Sequence, residues 1–125
     1  MNHAVLQQTV KAFNLRRFDA AARHAAEGLA DAQGRDEAFW MGLGDACEGY
    51  ALLMSGQLDR AEPKLVGSMQ KLRNFGFRYE NFEVTSVLAG ARQAVEEIRA
   101  VRGRRKRVFD VSLLPQLRLA AKADD

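Results

Sequence analysis

The stretch DEAFWMGLGDACEGYALLMSG, residues 36–56, decides how this chain folds. Its apolar side chains recur at helical spacing on more than one side of a single long helix. One row comprises Phe39, Leu43, Ala46, Tyr50 and Leu53, and a second comprises Trp40, Cys47, Ala51 and Met54. A helix that is apolar on several sides must be covered from several directions, so we expect it at the centre of an all-α domain. Gly42, Gly44 and Gly49 each weaken the helix by up to about 1 kcal/mol relative to alanine, which predicts close crossing by neighbouring helices.

Four more helices are predicted around the central one, over residues 3–13, 18–32, 59–72 and 81–102. Because short loops join them, we expect two antiparallel helical hairpins followed by a capping fifth helix. Asp59 and Glu62 have the spacing of a capping box at the start of the fourth helix. That box would place Pro63 in the first turn, where proline is tolerated.

The two hairpins share a sequence pattern. NLRRFDAA at residues 14–21 aligns with MSGQLDRA at residues 54–61, an offset of 40 residues. A helix, a tight turn and a second helix that starts apolar-Asp-x-Ala therefore occur twice. This arrangement resembles the helical hairpins of tetratricopeptide-type repeats.

A family resemblance rests on the same residues. FWMGLGDACEGY at residues 39–50, with the downstream Gly56 and Ala61, resembles the second half of the small bacterial and archaeal helical proteins of domain-of-unknown-function family 309. The likeness covers about residues 10–100 and implies a small helical fold. Where the family typically has a histidine-glutamate pair and a further glutamate, this chain has Ala22, Arg23 and Ala26, and where the family usually has glutamine it has Asp45.

Composition limits the classes of protein that fit. The chain has 125 residues, of which 47% are hydrophobic and 28% charged, as in one ordinary globular domain. No apolar run is long enough to span a bilayer and the amino terminus does not resemble a secretory signal, so we expect a cytoplasmic protein without membrane contact. The single cysteine, Cys47, excludes an intramolecular disulfide, and with only His3 and His24 beside it a cysteine/histidine zinc site is excluded as well.

The carboxyl-terminal part is predicted to differ from the helical domain of residues 1–102. Residues 103–125 combine a basic linker with an apolar arm that contains Pro115 and has no clear helical periodicity. We expect the apolar arm residues to fold back over their own domain. Docking on a second copy or on a partner is the alternative. The residues concerned are Val108, Phe109, Leu113 and Leu114.

Charge is unevenly distributed along the chain. Residues 1–62 contain 6 basic and 9 acidic side chains, whereas residues 63–125 contain 13 basic and 7 acidic ones. The basic excess is concentrated in one cluster, which comprises Arg99, Arg102, Arg104, Arg105, Lys106 and Arg107. Such a cluster could neutralise several phosphates and bind nucleic acid without sequence preference, or it could be a solvated linker.

One polar group is a candidate site on the helices. His24 with Glu27, and Asp45 with Glu48, could converge if the second and third helices pack antiparallel. Carboxylates with a histidine between helices can hold a metal for hydrolysis. A structural ion-pair network, in which the acids meet Arg16, Arg17 or Arg23, is the interpretation that we favour.

The sequence as a whole favours a non-catalytic helical interaction module. It would bind a protein partner, or a second copy in a homodimer, through a groove between the hairpins. The candidate contact residues are aromatic and comprise Trp40, Tyr50, Phe77 and Tyr79. Nucleic-acid association through the basic cluster is the alternative, and a metal-dependent hydrolase comes third. No motif in the sequence implies a cofactor, a bound metal or a catalytic residue.

Overall fold

Five α-helices form the computed structural model, which describes residues 1–105 and 107–120. The helices are α1 (His3–Asn14), α2 (Phe18–Ala30), α3 (Arg35–Met54), α4 (Leu58–Leu72) and α5 (Val84–Arg102). An antiparallel pair of two-residue strands, β1 (Arg78–Tyr79) and β2 (Phe82–Glu83), precedes α5, and 3-10 turns lie at Arg73–Phe75 and Val111–Leu113. The predicted all-α class is confirmed. No helix of the described residues is both long and apolar enough to cross a membrane.

The long helix α3 lies at the centre, as its several apolar sides predict. It packs against α2 along one side and against α4 along another, while α5 covers α4. Phe39, Trp40 and Tyr50 are fully buried. The Tyr50 ring lies 5.3 Å from the Phe13 ring and 5.6 Å from the Phe18 ring, so it joins α3 to both helices of the first hairpin. This aromatic contact fixes the two hairpins relative to each other.

Glycines allow α4 to approach α3 closely at two points. A Cβ at Gly42 would lie 2.7 Å from Leu72 Cγ, and a Cβ at Gly49 would lie 2.7 Å from Leu65 Cδ2. The prediction of close crossing is therefore confirmed at Gly42 and Gly49. It is wrong at Gly44, where a Cβ would meet only Ala25 Cβ at an ordinary 3.7 Å. The neighbouring helix α2 presents only the small side chain of Ala25 here, and a depression between the two helices lies beside Gly44.

The turns inside the two hairpins follow the same backbone path at an offset of 40 residues. Arg16 and Gly56 both have positive φ, at 66° and 80°. In each turn the next amide donates back to the carbonyl five residues earlier, from Arg17 in the first and from Gln57 in the second. A tetratricopeptide-like repeat stays a prediction, but the two turns are equivalent in geometry.

The predicted capping box of the fourth helix is wrong. Helix α4 starts at Leu58, its N-cap has no side-chain hydrogen bond, and Pro63 lies inside the helix instead of in its first turn. The acids of the expected box point to α5. Arg99 Nε lies 2.9 Å from Glu62 Oε2, and Arg102 Nε lies 3.1 Å from Asp59 Oδ1. Ion pairs with guanidinium groups about 40 residues away along the chain replace the local cap.

Candidate functional site

An extended segment near the carboxyl terminus occupies a groove of its own domain. This arm segment, residues 114–120, follows the 3-10 turn and runs past the end of α1, the strand β2 and the side of α5. We call the surface that it covers the arm groove. Leu114 and Leu117 are 7% and 2% exposed in it, whereas Gln116 and Arg118 point to solvent. The arm segment thus contributes two leucines to the core of the domain.

Two side chains, one from the last residue of α1 and one from the turn after it, bind the backbone of the arm segment. The Asn14 amide donates to the carbonyl of Leu117 at 2.9 Å and accepts from its N–H at 2.8 Å. The Arg16 guanidinium donates to the carbonyls of Pro115 at 2.6 Å and of Leu114 at 3.0 Å. Backbone groups of an extended segment are otherwise left to water, so these four hydrogen bonds fix its path. They are independent of the side chains that the segment carries.

The strand β2 extends this backbone recognition. The Glu83 N–H donates to the carbonyl of Arg118 at 3.0 Å, and the Ala120 N–H donates to the carbonyl of Asn81 at 2.7 Å. Phe82 and Leu119 form an antiparallel bridge. The arm segment therefore pairs with β2 through one isolated antiparallel bridge, a short form of the strand addition by which many domains bind peptides.

A glycine of α5 makes room for the proline of the arm segment. A Cβ at Gly90 would lie 2.5 Å from both Cβ and Cγ of Pro115. We call this space the Gly90 notch. Any larger residue at position 90 would displace the proline ring, because 2.5 Å is far inside the contact distance of two carbon atoms.

Sequence reasoning found the arm but not the residues that hold it. Leu114 is buried as expected and Phe109 is half-buried, but Val108 is exposed, and the side chain of Leu113 lies outside the described residues. The contributions of Leu117 and of its partners were missed. The alternation of leucines with polar residues in LPQLRL was the available signal, since it is typical of a segment with one buried face.

The aromatic residues expected to line a groove do not form one. Trp40 and Tyr50 are core side chains, so the expectation that they present a binding surface is wrong. Tyr79 is half-buried against Phe39 and Phe75, and Phe77 is 84% exposed away from them. The reason is that α3 is covered on all the sides that carry aromatic rings.

Tyr79 belongs to a polar contact at the edge of this aromatic group. Its hydroxyl donates to Asp36 Oδ1, and the Arg35 guanidinium lies over the rings of Phe75 and Tyr79. The hydrogen bond from Tyr79 holds the pKa of Asp36 below its usual range. Burial, with the carboxylate of Asp36, raises the pKa of Tyr79 to about 12. This contact ties β1 to the start of α3.

The four candidate polar residues separate into two unrelated groups. His24 Nδ1 lies 3.5 Å from Glu27 Oε1 on α2. Asp45 and Glu48 instead meet lysines of α4, with Lys71 Nζ 2.6 Å from Asp45 Oδ2 and Lys64 Nζ 2.7 Å from Glu48 Oε2. The expected pairing of these acids with arginines of the first hairpin is therefore wrong. Within the described residues no three side chains of metal-binding type are grouped.

A small depression lies between α2 and α3, beside Asp45. Its volume is about 160 Å³. Alanines of α2 form one wall, and the residues that line it are Ala22, Ala25, Ala26, Leu29, Trp40, Met41, Gly44, Asp45 and Glu48. Cys47 of α3 does not line the depression; its side chain is fully buried, and burial raises the pKa of its thiol to about 12. The two acids that line this depression, Asp45 and Glu48, are paired with lysines of α4.

The arginines of the basic cluster fall into two groups, those with ion-pair partners and those that are exposed without one among the described residues. Arg99 and Arg102 pair with acids of α4, as described above. Arg104, Arg105 and Arg107 are exposed, and within the described part of the chain none of them has an ion-pair partner. Lys106 lies outside the described residues. Half of the predicted cluster is thus available to an anionic partner.

Comparisons with protein families, with curated proteins and with solved structures found no match to this chain. The resemblance to domain-of-unknown-function family 309 therefore stays a prediction. The arm groove is the candidate site that the geometry supports best.

Proposed function

We propose that this protein is a non-catalytic interaction module whose arm groove binds an extended segment of a protein partner or of a second copy. The observation that carries the proposal is the way in which residues 114–120 are bound. Hydrogen bonds from Asn14, Arg16 and β2 hold this segment with an extended backbone. In this proposal the chain's own arm is the resident ligand. A cytoplasmic location and a tetratricopeptide-like array are parts of the same proposal.

The contacts of the arm groove favour an exchangeable ligand. They are made to backbone atoms and to two leucines, so another segment with similar residues can make them. The arm reaches the groove through Arg107 and Val108, which are both exposed. A segment that is held by a short list of contacts and joined by an exposed linker opens more easily than the helical core.

Cleavage of this linker provides the test. A recognition site for a specific protease is inserted between Arg107 and Val108, and the cleaved protein keeps its arm by non-covalent contacts alone. A fluorescent peptide of residues 108–120 should then exchange with the arm and bind saturably, as measured by fluorescence anisotropy. Failure of the cleaved, folded protein to bind this peptide would overturn the proposal.

The uncleaved protein is the matched control. Its tethered arm has an effective concentration on the order of millimolar, so it should exclude most of the added peptide. Equal binding by cleaved and uncleaved protein would show that the peptide binds elsewhere. Circular dichroism of both forms verifies that cleavage leaves the helices intact.

A second candidate is nucleic-acid association through the exposed arginines. Three exposed arginines, Arg104, Arg105 and Arg107, fall within a span of four residues. They have no ion-pair partner in the part of the chain that the structure describes. Electrophoretic retention of a DNA duplex at low salt should be lost when all three become glutamine. The matched control changes Arg17, Arg23 and Arg92, which are exposed on the helical domain. Retention that survives the first change, or is lost equally in both, would contradict this candidate.

A further inference from the structure

We propose that an arginine-specific endoprotease cuts this protein between Arg107 and Val108. The cut protein then stays assembled as two chains. The bond lies in the linker of residues 103–110, which joins α5 to the 3-10 turn before the arm segment. No partner protein is required and the arm keeps its place in the groove, so this site does not depend on the proposed function.

The linker is exposed around the bond. Helix α5 ends at Arg102, and backbone hydrogen bonds to its last turn continue as far as the Arg105 amide. Residues 107–110 belong to no helix or strand, and the Val108 side chain is 73% exposed. Proteases cut most readily where the chain is exposed and outside regular structure, so this bond is accessible to one.

The side chain of Arg107 is the group that such a protease recognises. It is exposed and has no ion-pair partner among the residues that the structure describes, so it is free to enter the acidic pocket of a protease that cuts after arginine. Exposed Arg104 and Arg105 add positive charge that attracts an acidic site. Cleavage adds one water molecule across the peptide bond. Its hydroxyl goes to the carbonyl carbon of Arg107 and its proton to the nitrogen of Val108, which leaves a carboxylate and an ammonium group at neutral pH.

Arginines outside the linker are held in structure that a protease must first open. The amides of Arg16 and Arg17 donate to carbonyls of α1. Arg78 of β1 is paired with Glu83, whose amide donates to the carbonyl of Arg118. The other described arginines lie in helical turns, where local unfolding must precede cleavage. We therefore expect the linker bond to be cut first.

The arm segment remains bound when the linker is cut. Its contacts with α1, β2 and α5 are made by residues 114–120, which follow the cut bond in the chain. Leu114 and Leu117 stay buried, because their burial does not depend on the linker. The product is therefore a two-chain protein with the fold of the uncut one.

Limited digestion of the native full chain with an arginine-specific endoprotease tests the site. Mass spectrometry should show the first cut after Arg107, with a fragment that starts at Val108. The double variant Arg104→Gln with Arg105→Gln should still be cut there, and Arg92→Gln on α5 is the matched control that should leave the rate unchanged. A first cut at any other arginine would overturn the site.

Gel filtration of the cut protein tests retention of the arm. Residues 108–125 should elute with residues 1–107 at micromolar concentration. Gly90→Ala places a methyl group 2.5 Å from Pro115, so it should raise the dissociation constant of the fragment by about tenfold or more. Gly44→Ala has ordinary space around the added methyl group and should retain the fragment as the parent does.

Asn14→Ala provides a second variant should Gly90→Ala fail to fold, which circular dichroism of the uncut chain detects. It removes both hydrogen bonds to Leu117 and should also weaken retention by about tenfold or more. Separate elution of the fragment from the cut parent would overturn the two-chain product. Retention that neither change weakens would mean that the arm is not held by the contacts named here, and would overturn it as well.

Discussion

Two glycines of α3 have opposite surroundings, although they lie five residues apart on one helix. A methyl group at Gly49 would meet Leu65 Cδ2 at 2.7 Å, while one at Gly44 would meet only Ala25 Cβ at 3.7 Å. We expect Gly49→Ala to lower the free energy of unfolding by roughly 1–3 kcal/mol through overpacking. We expect Gly44→Ala to raise it by up to about 1 kcal/mol through helix propensity. Urea denaturation measures both, and midpoints that shift in the same direction would contradict the assignment.

The hydroxyl of Tyr50 is buried without a hydrogen-bond partner among the described residues. Burial also raises the pKa of this group above its usual range. Tyr50→Phe keeps the contacts with the Phe13 and Phe18 rings and removes the unpaired group. We therefore expect this change to raise the free energy of unfolding by about 1 kcal/mol, as measured by thermal unfolding.

Tyr79→Phe is the matched control for that change. Its hydroxyl donates to Asp36, so its removal should lower the free energy of unfolding by about 1 kcal/mol. The two tyrosine variants should therefore shift the melting temperature in opposite directions. A loss of stability in Tyr50→Phe equal to that in Tyr79→Phe would mean that the Tyr50 hydroxyl is hydrogen-bonded after all.

Between elements, ion pairs join the start of α4 to the end of α5. The hydrogen bond from Arg99, together with that from Arg102, holds the pKa of Glu62 below its ordinary value of 4.5, against the opposing effect of burial. A carboxyl whose pKa is depressed by folding contributes stability above its unfolded pKa and loses it as the pH falls through the folded value. The contribution should be less than about 1 kcal/mol, because Arg99 and Arg102 are 60% and 48% exposed.

Glu62→Gln tests this pH dependence. The variant should be less stable than the parent at pH 7, and the difference should shrink as the pH is lowered from about 4.5 towards 3. Glu96→Gln on the exposed side of α5 should give no such pattern. Urea denaturation at each pH measures the difference, and a constant difference across this range would argue against the ion pairs.

The sequence predicts the helices better than it predicts their polar partners. Apolar periodicity is local, and it places α3 at the centre, while the glycine positions predict the close crossings at Gly42 and Gly49. The partners of Asp45 and Glu62 are not local, because lysine and arginine side chains can reach acids on any neighbouring helix. A capping box at Asp59 was a local interpretation of residues whose contacts lie on α5. Helix packing had to be known before these pairs could be assigned.

The residues that form the arm groove could not be predicted from the sequence for a related reason. Asn14 and Arg16 look like ordinary turn residues, and Gly90 looks like a weak position in an amphipathic helix. The role of Asn14 and Arg16 exists only when residues about 100 positions later lie beside α1. The role of Gly90 exists only when Pro115 lies against α5. Arg16 also adopts a positive φ, where Gly56 stands in the equivalent turn. A non-glycine residue with this conformation is uncommon, and at Arg16 it occurs together with the two hydrogen bonds to the arm segment.

At the scale of the whole molecule, the arm segment should open independently of the helical core, since few contacts hold it in the groove. Asn14→Ala removes both hydrogen bonds to Leu117. At about 1 kcal/mol for each bond, protection of the Leu117 amide against hydrogen exchange should fall by roughly 30-fold. Asn2→Ala at the other end of α1 removes the N-cap bond to Val5 and should lower global stability by about 1 kcal/mol without changing Leu117. Hydrogen exchange followed by NMR distinguishes the two, and protection of Leu117 that falls equally in both variants would mean that the arm opens only when the whole domain unfolds.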